Sequence, residues 1–219
     1  MSHPRKESFD EKRERAGLIA RILRKEYPND HTALQYTEPF QLLVAVILSA
    51  QCTDARVNLV TPQLFQRFST PKDFANADIH ELEALIHSTG FYHNKAKNII
   101  GCSNALLKNH RGIVPETMEE LYQLPGVGRK TANVVLGEAF GKTEGVVVDT
   151  HVIRLSHRLG LTIEQDAVRI EKELMPLLPK KYWYHFSHSL ILHGRKICSA
   201  RKPLCVQCSI SSYCPSSSV

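Results

Sequence analysis

Helical periodicity runs through almost the whole chain and strand patterning is nearly missing, which constrains the fold more than any single motif does. Segment 9–26 carries Leu18, Ile19, Ile22 and Leu23 at the spacing of one helix face, and Pro28 stops it. Segment 40–50, opened by Pro39, is apolar almost all round, as suits a helix buried in a core. Further helices are predicted over 55–68, 78–87, 94–110, 118–124, 129–140, 150–159, 165–177 and 183–197. The β-branched run Val146-Val147-Val148 is too short to change the class. An all-α protein is predicted, with no internal repeat. Apolar residues make up 42% of the 219, enough for a real core, and the length admits one large domain or two small ones.

Two bulk features narrow the partners and the compartment. The net charge of +6 suits a polyanion such as nucleic acid, although many proteins are mildly basic. Residues 1–17 are crowded with charge and hold no apolar stretch of the kind a secretory signal needs. The apolar run Leu42–Leu48 is far shorter than the roughly 18 residues of a membrane span. A soluble, intracellular protein is expected. In a reducing compartment, clustered cysteines point to a metal site before a disulfide framework.

The most informative local segment is Leu124-Pro125-Gly126-Val127-Gly128-Arg129-Lys130-Thr131-Ala132. Pro125 cannot continue a helix, and Gly126 and Gly128 permit backbone angles closed to other residues. A new helix starts at once. Bare N–H groups at its N-terminus would form an anion site, with Arg129 and Lys130 adding charge. The segment reads as a helix-hairpin-helix, which grips a DNA phosphate without reading sequence. An ordinary tight turn is the alternative.

Two residues near helix starts could do chemistry. Asp149, in Val148-Asp149-Thr150-His151, is placed to cap the following helix. Capping alone could explain it. Lys130 could simply contact a phosphate, or it could act as a nucleophile. A lysine that attacks carbon must be uncharged. The helix N-terminus and Arg129 disfavour its cation, whereas DNA phosphates and Asp149 favour it.

The C-terminal cysteines, Cys198-x6-Cys205-x2-Cys208-x5-Cys214, offer four thiolates within one short stretch. Structural zinc sites usually show two Cys-x2-Cys pairs, and only one is present here. A single compact run of four is closer to an iron–sulfur pattern. His185, His188 and His193 lie nearby but are read as packing or surface residues. Cys52 and Cys102 are read as buried structural thiols.

Taken together, these segments resemble the endonuclease III family, a branch of the helix-hairpin-helix DNA glycosylase superfamily. Ser49-Ala50-Gln51-Cys52-Thr53-Asp54 matches that family's Ser-Ala-Gln-x-Thr-Asp, and Gly90-Phe91-Tyr92-His93-Asn94-Lys95-Ala96 matches its glycine-apolar-aromatic loop. The resemblance runs from about residue 15 to Cys214. It implies two helical domains with a DNA-binding cleft between them. A six-helix barrel with the hairpin would span 32–142. Segments 1–31 and 143–219 would form a second domain holding a 4Fe–4S cluster on Cys198, Cys205, Cys208 and Cys214.

The resemblance also implies a bifunctional DNA glycosylase and AP lyase that removes oxidised pyrimidines from duplex DNA as a monomer in a bacterial cytoplasm. Lys130 would attack C1′ of a flipped nucleotide and Asp149 would stabilise the developing charge. Gln51 would fill the gap in the duplex, and Phe91, beside Tyr92, would wedge into the stack. Gly126, Gly128, Arg129 and His151 would contact DNA. Arg201 and Lys202, inside the cysteine loop, would face phosphates. Without the resemblance, Gln51 reads as a helix cap and Phe91 as a buried loop aromatic.

Two rival functions fit parts of this pattern. An adenine-DNA glycosylase would lack a lysine at position 130, carry glutamate near Gln51, and usually extend beyond the cysteine loop. A non-enzymatic DNA-binding module would have no use for both Lys130 and Asp149 at helix starts.

Overall fold

The computed structural model describes residues 7–28 and 31–219, so part of the charged N-terminal segment lies outside the described residues. Among the described residues there are eleven α-helices and no strand. They are α1 (Phe9–Glu26), α2 (Pro39–Leu48), α3 (Asp54–Arg67), α4 (Pro71–Ala75), α5 (Ile79–Ile86), α6 (Tyr92–His110), α7 (Met118–Tyr122), α8 (Arg129–Phe140), α9 (Thr150–Arg158), α10 (Ala167–Leu177) and α11 (Trp183–Lys196). The chain divides into two compact units. One is Thr32–Glu144; the other joins the chain up to His31 with Gly145–Val219.

The internal unit is organised around α2. Pro39 stands in its first turn, where a missing N–H costs nothing. From Phe40 onward only Gln41 of this helix escapes burial. A helix that is apolar all round must be enclosed, and α3, α6 and α8 pack against it. Phe74, fully buried, meets Phe40 and Phe68 at ring-centroid distances of 5.5 and 5.3 Å. Phe74 belongs to α4, a five-residue helix absent from the sequence reading. Its Thr70–Asp73 capping box holds it where periodicity has too few residues to register. The first residue of the unit is tied in by a hydrogen bond from the Thr32 amide to the Glu138 carboxylate of α8.

In the terminal unit, α1 starts with a capping box formed by Ser8 and Glu11. It buries Ala16, Ile19, Ala20 and Leu23, one stripe at helical spacing, and packs on α10 and α11. These residues join Val152, Leu155, Ile170, Leu174, Phe186, Leu190 and Ile210 in one apolar core. Val146 joins this core and Val148 packs against it, both as extended chain rather than a strand; Val147 is buried as well. Three of the four C-terminal cysteines pack against the same core.

Candidate active site and metal centre

The turn between α7 and α8 is built as its residue types require. The Val127 amide donates to the Leu124 carbonyl at 3.1 Å, closing a four-residue turn with Pro125 and Gly126 in the middle. Gly126 has φ +77°, where a side chain is strained, and a Cβ there would lie 2.7 Å from Cβ of Asn98. A Cβ on Gly101 would be 3.3 Å from Pro125. The hairpin is therefore seated directly on α6 through Asn98 and Gly101. Gly128 is the N-cap of α8 and supplies no side-chain cap, and space around it is open. Lys130 stands exposed in the first turn of α8, with Arg129 half-buried before it.

Two other segments of the internal unit share an unusual backbone. Gln51 (φ 53°) and Phe91 (φ 50°) are both left-handed, a conformation that L side chains rarely adopt. Gln51 lies two residues beyond Ser49, the C-cap of α2, and is exposed. Phe91 is 63% exposed, which overturns the buried-aromatic reading of the residue alone. The Gly90–Phe91 turn, with Gly90 also at positive φ, swings the ring outward. Tyr92 begins α6 half-buried, its ring centroid 4.5 Å from that of His87. Cys52 is half-exposed rather than buried, because it sits in this turn beyond α2. Cys102 is buried as expected, and burial pushes its thiol up to about 12.

In the terminal unit, Asp149 caps α9. Its Oδ1 accepts from the amides of His151 and Val152 at 2.8 and 2.9 Å, and the carboxylate stays partly exposed. The helix it starts leads straight to the cysteine loop. Arg154 Nη2 donates to the carbonyls of Gly194 and Cys198 at 3.0 and 2.9 Å and lies 3.1 Å from His151 Nδ1. One turn on, Arg158 Nη1 donates to Cys198 Sγ at 3.1 Å and to the Ser199 carbonyl at 2.8 Å. Gly194 lets α11 approach this close: a Cβ there would meet both Arg154 and His151 at 2.9 Å.

Cys198, Cys205, Cys208 and Cys214 line one cavity of about 270 Å³ together with Arg158 and Leu204. A single zinc ion would draw four sulfurs to about 3.8 Å from one another, from Zn–S bonds of about 2.3 Å. Among the described residues no three acidic, histidine or cysteine side chains converge on a single ion's position. A thiol-lined cavity of this volume fits a polynuclear iron–sulfur group. Burial and the neighbouring cysteines raise Cys208 and Cys214, whereas the Ser218 hydroxyl lowers Cys205.

His193 packs in the interior, as read from sequence, and also reaches the cysteine loop. It is 1% exposed, with Nε2 3.3 Å from Cys208 Sγ and Nδ1 3.1 Å from the Tyr27 hydroxyl. Such outer partners orient a ligand and tune it. Burial lowers its pKa and the Glu26 carboxylate opposes that. Sequence reasoning also passed over Arg154 and Arg158. Their spacing of four on α9, facing the start of the cysteine loop, is the signal that was available. Arg201 and Lys202 are exposed on that loop, between Cys198 and Cys205.

Comparison with known proteins follows these segments. A family model described as the HhH-GPD superfamily base excision DNA repair protein matches residues 44–180. A second, the iron-sulfur binding domain of endonuclease III, matches 198–214. Endonuclease III of Synechocystis sp. is 57% identical over 205 residues, covering 94% of each chain. Endonuclease III of Escherichia coli is 41% identical over 203 residues, covering 93% of this chain and 95% of its own. Among solved structures, a non-covalent endonuclease III–DNA complex superposes with a TM-score of 0.85 at 43% identity, covering 91% of this chain and 94% of that one. A trapped endonuclease III–DNA covalent intermediate gives 0.85 at 44% identity, with coverage of 90% and 93%. A thermostable thymine-DNA glycosylase, 22% identical with a TM-score of 0.82, shares the fold.

Proposed function

The chain belongs to the HhH-GPD superfamily of base-excision DNA repair proteins, in its endonuclease III branch, and is a DNA glycosylase and AP lyase; on that premise we propose that Lys130 and Asp149 carry its chemistry. The observation that carries this reading is the exposed lysine in the first turn of the helix behind the hairpin. A trapped covalent DNA complex exists for a relative 44% identical to this chain. A lysine amine can form such an adduct as a Schiff base.

In the proposed reaction the amine of Lys130 attacks C1′ of the lesion nucleotide. The N-glycosidic bond breaks and the base leaves. Asp149 stabilises positive charge developing on the sugar, a contribution of several kcal/mol in preorganised sites, on the order of 3 kcal/mol. Its two amide hydrogen bonds keep one carboxylate oxygen fixed while the group stays partly open to solvent. The lysine nitrogen then gives up a proton, the C1′–O4′ bond opens with O4′ taking up a proton, and a protonated imine joins Lys130 to C1′. Loss of a 2′ proton follows, and β-elimination cuts the strand 3′ to the lesion.

DNA is the partner. The glycine-bare turn at Gly126 and Gly128, with Arg129, would hold a phosphate. Gln51 and Phe91 would enter the duplex, Gln51 in place of the flipped nucleotide and Phe91 between stacked bases. Their exposure and left-handed backbone support this, since unprotected strain of this kind marks functional segments. Tyr92 and His151 would lie beside DNA. The protein carries a 4Fe–4S cluster, and its ligands are assigned to Cys198, Cys205, Cys208 and Cys214. When bound, the cluster supplies a crosslink that shapes the loop presenting Arg201 and Lys202 to phosphates. The protein would act as a monomer in the bacterial cytoplasm. No described helix is long and apolar enough to cross a membrane.

The proposed substrates are oxidised pyrimidines, with 5,6-saturated rings the best case. Duplexes carrying thymine glycol, dihydrouracil or 8-oxoguanine separate this from the sister specificities. Thymine glycol and dihydrouracil should be cleaved far faster than 8-oxoguanine. A preference for 8-oxoguanine, or for undamaged adenine in a mismatch, would overturn the substrate assignment.

A further inference from the structure

Lys95 is a buried lysine that the chemistry above does not use. It is 4% exposed, on the inner face of α6, and its ammonium donates to two backbone carbonyls, those of Leu48 and Thr89, each at 2.8 Å. Among the described residues it has no acidic partner. Burial holds its pKa below the ordinary lysine value. A buried cation without a counter-charge is costly, and such residues are rarely retained for stability alone.

The two carbonyls are the informative part. Leu48 is the last residue of α2, and Thr89 ends the single turn of 3-10 helix over His87–Thr89. Helix C-termini present unpaired, partly negative carbonyls, which a cation satisfies. Gln51 follows Leu48 by three residues and Phe91 follows Thr89 by two. Both are left-handed non-glycine residues, as is Arg111 at the far end of α6, which the Lys95 contacts do not reach. Strained backbone persists only where its surroundings over-determine it. Here one ammonium fixes the starting point of both strained turns.

We propose that Lys95 is a positioning residue: it locks the Gln51 and Phe91 segments to each other, so that the two side chains enter a duplex as one rigid pair. This rests on the proposed entry of Gln51 and Phe91 into DNA. Losing Lys95 would free the two segments separately and leave two carbonyls unsatisfied, without touching the hairpin or the cysteine loop.

The test uses the full protein with its cluster and a duplex holding a tetrahydrofuran abasic analogue opposite 2-aminopurine. In the parent protein, Gln51→Ala and Phe91→Ala should each weaken binding to this duplex by about tenfold, and binding should change the fluorescence of the orphaned base. Lys95→Met, matched in length, should weaken it by about tenfold or more, and at saturation most of the fluorescence change should be lost. Binding to undamaged duplex, held by phosphate contacts, should be unchanged. In the Lys95→Met background, Gln51→Ala should cost less than about twofold more, the non-additivity of a coupled pair. Full additivity, or a normal fluorescence change at saturation, would overturn the proposal while leaving the insertion of Gln51 and Phe91 standing. If instead both alanine variants of the parent bind normally, insertion itself fails and the role of Lys95 falls with it. Should Lys95→Met fail to fold, hydrogen exchange on the unaltered protein decides. The amides of Cys52 and Gly90, bonded to Ser49 and His87, should open with one common free energy. Clearly different opening free energies would overturn the coupling.

Discussion

Asp149 has two jobs in this account, and a pair of substitutions separates them. As a cap, it accepts two amide hydrogen bonds at 2.8 and 2.9 Å. Asparagine at position 149 keeps an oxygen in the same place, so Asp149→Asn should change stability by no more than about 0.5 kcal/mol. Alanine removes the acceptor. Asp149→Ala should cost about 1–2 kcal/mol, which for a chain of this size lowers Tm by roughly 2–8 °C. Catalysis divides differently. Both variants lose the negative charge at the sugar, so both should slow single-turnover base excision by about 10²–10³-fold, or roughly 3–4 kcal/mol. The assays are thermal unfolding and single-turnover cleavage of a thymine glycol duplex, with binding to an uncleavable abasic duplex as control. Near-normal excision by Asp149→Asn would reduce the residue to a cap. An unshifted Tm in Asp149→Ala would refute the capping arithmetic.

Other positions give sharper structural tests. Gly126→Ala meets both a positive φ and a Cβ 2.7 Å from Asn98 Cβ. It should destabilise by about 2–4 kcal/mol and weaken DNA binding, measured by unfolding and titration; a stable, fully binding variant would remove the hairpin's geometric argument. Replacing Arg201 and Lys202 with alanine should leave the iron–sulfur absorption intact and weaken DNA binding for all sequences. The salt dependence should flatten by about one unit per lost phosphate contact, and an unchanged slope would detach this loop from DNA.

The fold was legible in the sequence where the signals are local. Both ends of α1 and α8 coincide with segments read from periodicity, and α2 announced its burial by being apolar all round. Helix α4 was not legible, because five residues cannot show a period and Phe74 finds its place through contacts far along the chain. The candidate site divides the same way. The hairpin carries its own turn chemistry in Pro125 and Gly126. Asp149 as a cap follows from its place before Thr150. What sequence could not supply are partners brought together by packing. His193 beside Cys208, Arg154 and Arg158 on the cysteine loop, and Lys95 between Leu48 and Thr89 join residues between 6 and 47 positions apart. Cys52 was misread for the converse reason: a small apolar residue next to a buried helix looks buried until the turn that carries it outward is known. Phe91 shows how backbone conformation, invisible in residue type, decides whether an aromatic is core or surface.

The central claim is that Lys130 is the nucleophile. Borohydride trapping on a duplex carrying thymine glycol or an abasic site tests it most directly. The parent protein should give a covalent protein–DNA adduct. Lys130→Ala should give none and should lose most base excision. It should still fold, keep its cluster and bind DNA, because the residue is exposed in the first turn of α8. A well-folded Lys130→Ala protein that traps DNA at the parent level would contradict the assignment and require another amine at C1′.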